Sequence, residues 1–358
     1  MGNNIGLYCA RPWASMMLFP CAAGPECNIS FKIRKNYKTP TIDEIWNGPE
    51  MVSIRRQVRE GNAKALGCSD CAYFGSGSSL YELFEYKDAP DNVQKNAKLN
   101  VSEFFKGQLI LKSKPLYISA DLSYACNLEC VLCELRFDKN ELVPHQLSDL
   151  FTKHAGTLRH MHISGGEPLM NAVFLRYLKK PQMKPHALSI TTNGTLLSEK
   201  ILGNLAQFQY INLHISFDSF NELTLKKLRA GSDYNLIIKN IQRALKYRNK
   251  INKDFGTKHW HVCLQIVPTI LNFHEFPDYL DRVNDFGVDS INFCSISGDF
   301  PELDFIRYPR LLDRIDVPSL LYDINSRLNK YSHLEINGLE PALKGLKDKV
   351  GDLALNVQ

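Results

Sequence analysis

The sequence predicts an α/β fold built on a largely parallel sheet, and two observations predict it. Apolar or alternating runs of strand length recur at Leu116–Leu122, His160–Ile163, Ala187–Thr191, Ile211–Ser216, His261–Val267 and Ser290–Ser295. Between them lie helical patterns, as at Leu223–Leu228, Leu236–Leu245 and Phe276–Phe286. Strands that alternate with helices are joined by crossovers, and crossovers make the strands parallel. A third observation concerns the other end of the chain. Five of the 10 cysteines, Cys9, Cys21, Cys27, Cys68 and Cys71, fall before residue 106, so a small cysteine-rich segment precedes the sheet.

In that segment, Cys9 and Cys21 flank an apolar stretch with Trp13 and Phe19 and read as the two ends of a hairpin, while Cys68-Ser-Asp-Cys71 supplies two thiols from one tight turn. Thr41 is placed to cap a short helix, Ile42–Trp46, whose first turn carries acidic residues that favour a helix N-terminus. Gly48-Pro49 breaks it. Met51, Ile54 and Val58 mark the buried side of a second helix, with Arg55, Arg56 and Arg59 among its exposed positions and Gly61-Asn62 at its end. Residues from about 85 to 100 are charged and polar, contain Pro90, and read as a linker. Four thiolates drawn from Cys9, Cys21, Cys68 and Cys71, with Cys27 as substitute, can close around a metal. Iron–sulfur and four-cysteine zinc both satisfy this spacing.

After the first strand of the sheet comes Cys126-Asn-Leu-Glu-Cys130-Val-Leu-Cys133, three thiols within eight residues. A short loop can wrap three sulfurs around one face of a metal cluster and leave a fourth position open, which catalysis requires and a closed structural site lacks. The second strand leads into Gly165-Gly166-Glu167-Pro168, the third into Thr192-Asn193-Gly194, the fourth into Ser216-Phe-Asp218. Ser216 and Asp218 share a parity, so both side chains can face one side of the sheet. On the fifth strand His261, Cys263 and Gln265 share a parity; on the sixth, Ile291 and Phe293 oppose Asn292 and Cys294. Past about residue 312, Leu320, Leu321, Ile324 and Leu328 describe a core-facing helix.

The cysteine triplet followed by Gly165-Gly166-Glu167-Pro168 resembles the radical S-adenosylmethionine (SAM) enzymes. The resemblance implies a partial (βα)6 barrel over residues 106–315, a C-terminal helical extension over 316–358, and a [4Fe–4S] cluster on Cys126, Cys130 and Cys133. SAM chelates the open iron, and an electron releases a 5'-deoxyadenosyl radical that takes a substrate hydrogen atom. The same resemblance implies that Gly165, Gly166, Glu167 and Pro168 receive the SAM amino group and that Ser216 and Asp218 bind the ribose. Arg229 is a candidate for the SAM carboxylate, with Asn193 and Gln265 as further cofactor contacts. Leu132 stands where the family usually has an aromatic residue, and Phe293 is an aromatic that could pack against adenine. In the N-terminal segment, Glu44-Ile-Trp-Asn47, the Arg-rich helix and Cys68-x2-Cys71 resemble the SPASM domain. That implies one auxiliary [4Fe–4S] cluster within residues 1–105, ahead of the barrel rather than after it. Three cysteines remain, and of these Cys263 and Cys294 are candidate hydrogen-atom donors, since a thiol quenches a carbon radical. A free cysteine is otherwise a small buried hydrophobe.

Composition narrows the partners. The 358 residues carry a net charge of +5, with 23% charged and 44% hydrophobic residues, as ordinary globular chains do. The densest basic cluster, Lys32–Lys38, reads as a solvated loop, and no aromatic-basic stripe accompanies it, so nucleic acid is not expected. No apolar run reaches membrane-spanning length, and no targeting segment opens the chain. The expectation is a cytoplasmic enzyme with reduced thiols, served by a flavodoxin- or ferredoxin-type electron donor. Its expected substrate is a peptide undergoing oxidation or epimerisation. A sugar or other small metabolite is the alternative substrate, and a non-catalytic iron–sulfur or zinc scaffold a remote one.

Overall fold

The computed structural model describes residues 9–20, 22–25, 41–62, 66, 68, 88–135, 140, 142, 144–255 and 259–355. Cys21, Cys27, Cys71 and the basic cluster at 32–38 lie outside the described residues. In chain order the strands are β1 (Ser15–Phe19), β2 (Ala22–Gly24), β3 (Tyr117–Asp121), β4 (Glu129–Cys130), β5 (His160–Ser164), β6 (Ala187–Thr192), β7 (Tyr210–Ser216), β8 (Arg229–Ala230), β9 (Trp260–Ile266), β10 (Ser290–Phe293) and β11 (Glu335–Asn337). The six expected strands are β3, β5, β6, β7, β9 and β10, each within a residue or two of its expected bounds. The architecture is α/β with a mostly parallel sheet. The chain divides into two compact units, the first drawn from 1–125, 138–190 and 204–211, the second from 126–137, 191–203 and 212–358.

In the first unit the strands run in the order β2-β1-β3-β5-β6. All neighbours are parallel except β2, which is antiparallel to β1. Alternation gives the strands one apolar and one polar face. Ile118, Ala120, Met161, Ile163, Leu188 and Ile190 are all buried on the first. The register Ser119↔His162↔Ser189 places polar side chains side by side on the second. β1 was not anticipated as a sheet strand. It lies parallel to β3, and Leu116 N–H donates to Ala14 O at 2.8 Å. The described part of residues 1–105 therefore packs within the same unit as β3 and β5, with no division near residue 105.

The structure departs from two local expectations. Residues 91–100 of the stretch read as a linker belong to a 15-residue helix, Asp91–Phe105. Its buried side mixes Val93, Ala97 and Phe104 with Asn96, Asn100 and Glu103, which hides the amphipathic signal. Those polar groups are used: Glu103 accepts the N–H groups of Lys112 (2.7 Å) and Ser113 (3.1 Å), and Asn96 accepts that of Lys114 (2.8 Å). They satisfy a backbone segment that has no strand partner of its own. Arg55, expected on the exposed side of its helix (Pro49–Arg59), is 0% exposed. Its guanidinium donates to Pro12 O (2.8 Å) and Leu109 O (2.9 Å) and lies 4.4 Å over the Trp46 ring. Burial pulls its pKa down to about 9. The preceding helix forms as expected, with a reciprocal cap between Thr41 and Glu44.

In the second unit the order is β7-β9-β10-β11, with β10 parallel to both β9 and β11. Trp260, Val262, Leu264 and Ile266 bury one face of β9, while His261 and Gln265 remain partly accessible on the other. Phe293 belongs to the apolar side, 4.6 Å from the Phe276 ring. It is packed against the helix Phe276–Phe286, so the expected stacking on adenine does not describe it. The helix Val317–Lys330 buries Leu320 and Ile324 as expected. Beyond it the chain adds β11 and the helix Glu340–Leu355.

Candidate functional site

The cysteine loop belongs to the second unit and is held from several sides. Cys130 lies in β4, which pairs antiparallel with β8 so that Cys130 stands opposite Arg229. Val131 N–H donates to Leu228 O at 3.0 Å, and Cys133 N–H turns back onto Cys130 O at 3.1 Å. Leu128 N–H points at Cys126 Sγ, 3.4 Å away. Asn193 is 6% exposed; its Nδ2 lies 3.7 Å from Cys126 Sγ and donates to Asn127 Oδ1 at 2.9 Å. Its Oδ1 accepts from Thr195 N and Oγ1 at 3.0 and 2.6 Å. The turn that carries Asn193 needs a positive φ at Gly194 (79°) and is tied to the helix Tyr234–Phe255 by Asn240, which donates to Gly194 O at 2.8 Å and Thr195 O at 3.0 Å.

On the other side, Arg229 Nη1 lies 3.8 Å from Cys130 Sγ. Its Nε is 2.7 Å from Asp218 Oδ2, an ion pair without hydrogen-bond alignment. Asp218 Oδ1 accepts Val267 N–H at 2.9 Å. Burial pushes the Cys130 thiol above its ordinary value, the Arg229 guanidinium pulls it back, and Cys126 and Cys133 push it up again. Both other thiols thus lie within electrostatic reach of Cys130.

A group fits here that takes three thiolates and offsets their mutual repulsion with its own positive charge. Among the described residues, no three His, Cys, Asp or Glu side chains converge as they would on a single metal ion. A cube of iron and sulfide spreads its thiolates over separate corners.

Gly165-Gly166-Glu167-Pro168 belongs to the first unit, where it grips the segment immediately before Cys126. Gly166 N–H donates to Ser123 O at 2.7 Å and Glu167 N–H to Ala125 O at 2.9 Å. Gly165 has φ +116°, and a Cβ on Gly166 would stand 2.1 Å from Ala125 O. Both glycines are dictated by this close backbone approach. Glu167 is 1% exposed, and its Oε1 accepts Leu169 N–H at 3.0 Å, capping a turn that starts at Pro168.

The polar faces of the strands carry the remaining candidates. In the first unit His160 Nε2 lies 2.6 Å from Ser189 Oγ, and Ser164 Oγ donates to Asp121 Oδ1 at 2.6 Å. His162, beside them, keeps some accessible surface yet is deep enough for desolvation, with a further push from His160, to pull its pKa down to about 4. In the second unit His261 Nε2 lies 2.8 Å from Ser290 Oγ, and the register sets Gln265 beside Asn292. Ser216 and Leu132 are half-buried.

The two candidate donor thiols differ. Cys263 is 1% exposed and burial raises its pKa to about 11, whereas Cys294 is half-buried, and Asp218 and Arg229 both act on its charge. In the N-terminal segment Cys9 is half-buried, ahead of the short helix Arg11–Ala14, and Cys68 is buried. The hairpin there runs between β1 and β2, so Cys9 does not stand at its end.

Residues 121–259, which contain the triplet, the glycine motif, Asn193, Asp218 and Arg229, match the Radical SAM superfamily. These residues are a radical SAM domain. Proteins of that superfamily use a [4Fe–4S] cluster and SAM, and within the matched residues Cys126, Cys130 and Cys133 would fit such a cluster.

The chain is 26% identical over 220 residues to the tungsten-containing aldehyde ferredoxin oxidoreductase cofactor-modifying protein of Pyrococcus furiosus, covering 58% of this chain and 59% of that protein. It is 24% identical over 132 residues to the mycofactocin maturase MftC of Mycolicibacterium smegmatis (36% and 34% of the two chains). A probable GTP 3',8-cyclase of Methanococcus maripaludis is 30% identical over 128 residues (34% and 42%). The chain thus spans less than two thirds of the length of each. Among solved structures, Streptococcus suis SuiB bound to S-adenosylmethionine aligns with a TM-score of 0.48 and 16% identity, over 90% of this chain and 71% of that one.

Asn127, Thr195, Asn240 and the Val267 amide were not anticipated. Asn127 and Thr195 each adjoin a motif residue, which was a usable signal. Asn240 lies mid-helix, where only the fold reveals its role.

Proposed function

We propose that this radical SAM chain removes a hydrogen atom from a peptide substrate and so modifies it, by oxidation or epimerisation. The bound cluster and SAM supply a 5'-deoxyadenosyl radical by one-electron cleavage of the sulfonium. The chain's own residues fix geometry and contacts. Cys126, Cys130 and Cys133 hold the group, Asn193 and Arg229 brace the two outer parts of the loop, and Gly165–Pro168 anchor the residues before it. Ser216 and Gln265 remain candidates for SAM. In each unit the polar strand face, with His160 and His162 in the first and His261 and Asn292 in the second, offers donors and acceptors of the kind amides pair with.

The observation that carries the reading is that one unit brings the cysteine triplet together with Asn193 and the Asp218–Arg229 pair. Cys294 rather than Cys263 is the donor thiol in this reading, because it is half-buried where Cys263 is 1% exposed. Similarity to a maturase supports a peptide, and similarity to GTP cyclases supports the second reading, a small metabolite. Reductive incubation with SAM should release 5'-deoxyadenosine, and its absence from the reconstituted protein would overturn the enzyme reading. Turnover in deuterated water separates outcomes: epimerisation leaves one solvent deuterium in the product and oxidation leaves none.

An auxiliary [4Fe–4S] cluster on Cys9, Cys21, Cys68 and Cys71 is part of the proposal, as are a flavodoxin- or ferredoxin-type donor and a cytoplasmic setting. No helix among the described residues is long and apolar enough to cross a membrane. With both clusters, reconstituted protein carries about eight irons and the Cys126→Ala/Cys130→Ala/Cys133→Ala variant about four. About four in the first and none in the second removes the auxiliary cluster.

A further inference from the structure

The sequence resemblance would give Arg229 to the SAM carboxylate and Asp218 to the ribose, yet both side chains are committed to each other and to the cluster loop. Arg229 Nη1 is 3.8 Å from Cys130 Sγ, and its Nε is 2.7 Å from Asp218 Oδ2. Its side chain is only 13% exposed and that of Asp218 4%. The geometry is built by the backbone. β4 and β8 set Cys130 opposite Arg229, and Val267 N–H fixes the far oxygen of Asp218. Charges enclosed in this way are weakly screened by solvent and salt.

The geometry points to Asp218 and Arg229 as a charged bracket on Cys130 that sets the reduction potential of the cluster, with Arg229 the positioning residue for that sulfur. This rests on the cluster being carried by Cys126, Cys130 and Cys133. Adding an electron makes the cluster more negative, so a guanidinium beside a ligand sulfur stabilises the reduced form and raises the potential. Donation to the sulfur acts in the same direction. Asp218 opposes it by partly cancelling the guanidinium charge. The two residues therefore act with opposite sign, whereas a purely structural pair would give the same defect from either side.

The test is an EPR-monitored redox titration of the full chain, reconstituted anaerobically and kept free of SAM. The signal of the Cys126→Ala/Cys130→Ala/Cys133→Ala variant is subtracted so that only this cluster is read. Arg229→Met should lower the reduced-to-oxidised ratio at the wild-type midpoint at least tenfold, a shift of about 59 mV to lower potential for one electron. Asp218→Asn, which keeps an oxygen for Val267 N–H, should shift it upward by a similar factor. Arg229→Lys should stay within about threefold of wild type.

Shifts of the same sign, or Arg229→Met and Asp218→Asn both within threefold of wild type, overturn the inference. The second result is also what a role confined to the SAM carboxylate predicts, because SAM is absent. If Arg229→Met fails to retain iron, Asp218→Asn decides by the direction of its shift. Wild type without iron that depends on the triplet is a different failure, that of the cluster assignment itself.

Discussion

Replacing Gly166 with alanine should unfold more than it perturbs. The added Cβ would lie 2.1 Å from Ala125 O, 2.6 Å from Ala125 C and 2.7 Å from Tyr124 C. All three are backbone atoms, so no side chain can swing away. To relieve the clash the two segments must separate, which breaks Gly166 N–H to Ser123 O (2.7 Å) and Glu167 N–H to Ala125 O (2.9 Å). Two such bonds are worth about 1 kcal/mol each, and forcing an extra carbon into a packed site costs about 1–3 kcal/mol. The expected loss is about 3–5 kcal/mol. Urea unfolding of the metal-free, reduced chain measures it without any cofactor. Gly203→Ala is the control: it lies within the helix Glu199–Leu205, its nearest neighbour would be Tyr247 Oη at 3.8 Å, and the change should stabilise by about 0.5–1 kcal/mol. A Gly166→Ala protein within about 1 kcal/mol of wild type would refute the reasoning, and the glycines would then be explained by approach to a ligand instead.

Other perturbations read other parts of the molecule. The His162 pKa falls from its ordinary value to about 4 on folding, so its contribution is complete above about pH 6.5 and is lost as the unfolded chain takes up a proton on acidification. Discounted for the partial accessibility of the ring, this comes to about 1–2 kcal/mol between pH 7.5 and pH 5. It should appear as a difference in urea stability that His162→Gln removes, and identical pH profiles for the two proteins would contradict it. Arg55→Met leaves Pro12 O and Leu109 O without their donors. A loss of about 3–5 kcal/mol is expected by equilibrium unfolding, and a change under 1 kcal/mol would show that the guanidinium is dispensable. Asn193→Ala removes the brace between the Cys126 end of the loop and Thr195. Iron release to a chelator from reconstituted protein should quicken several-fold, and an unchanged rate would mean that the loop holds its shape without Asn193.

Much of the chemistry was legible because it resides in short spans. The cysteine triplet, the Gly-Gly-Glu-Pro turn and the Asn193-Gly194 turn each depend on residues that are neighbours in sequence. Strand positions were legible for a related reason: β5 and β7 alternate cleanly between a buried apolar side and a polar one, and β9 does so except at the buried Cys263. The helix Asp91–Phe105 was missed where that contrast fails, since Asn96, Asn100 and Glu103 share its buried side with Val93, Ala97 and Phe104. Arg55 was misplaced because three arginines in five residues look solvated until the carbonyls of Pro12 and Leu109 are brought to them.

By itself, then, the sequence determined the α/β class, the positions of six of the sheet strands and the cysteine spacing from which the cluster ligands are proposed, all of which depend on periodicity or local spacing. Tertiary structure alone decided what the isolated polar residues do. It turned Arg229 toward Cys130 and paired it with Asp218, assigned Gly165 and Gly166 to a backbone contact with residues 123–125, placed Phe293 against Phe276 and laid the N-terminal β1 beside β3. The physical reason is common to all four. A side chain's role depends on which partner reaches it, and partners separated by tens of residues meet only when strands pair and helices pack.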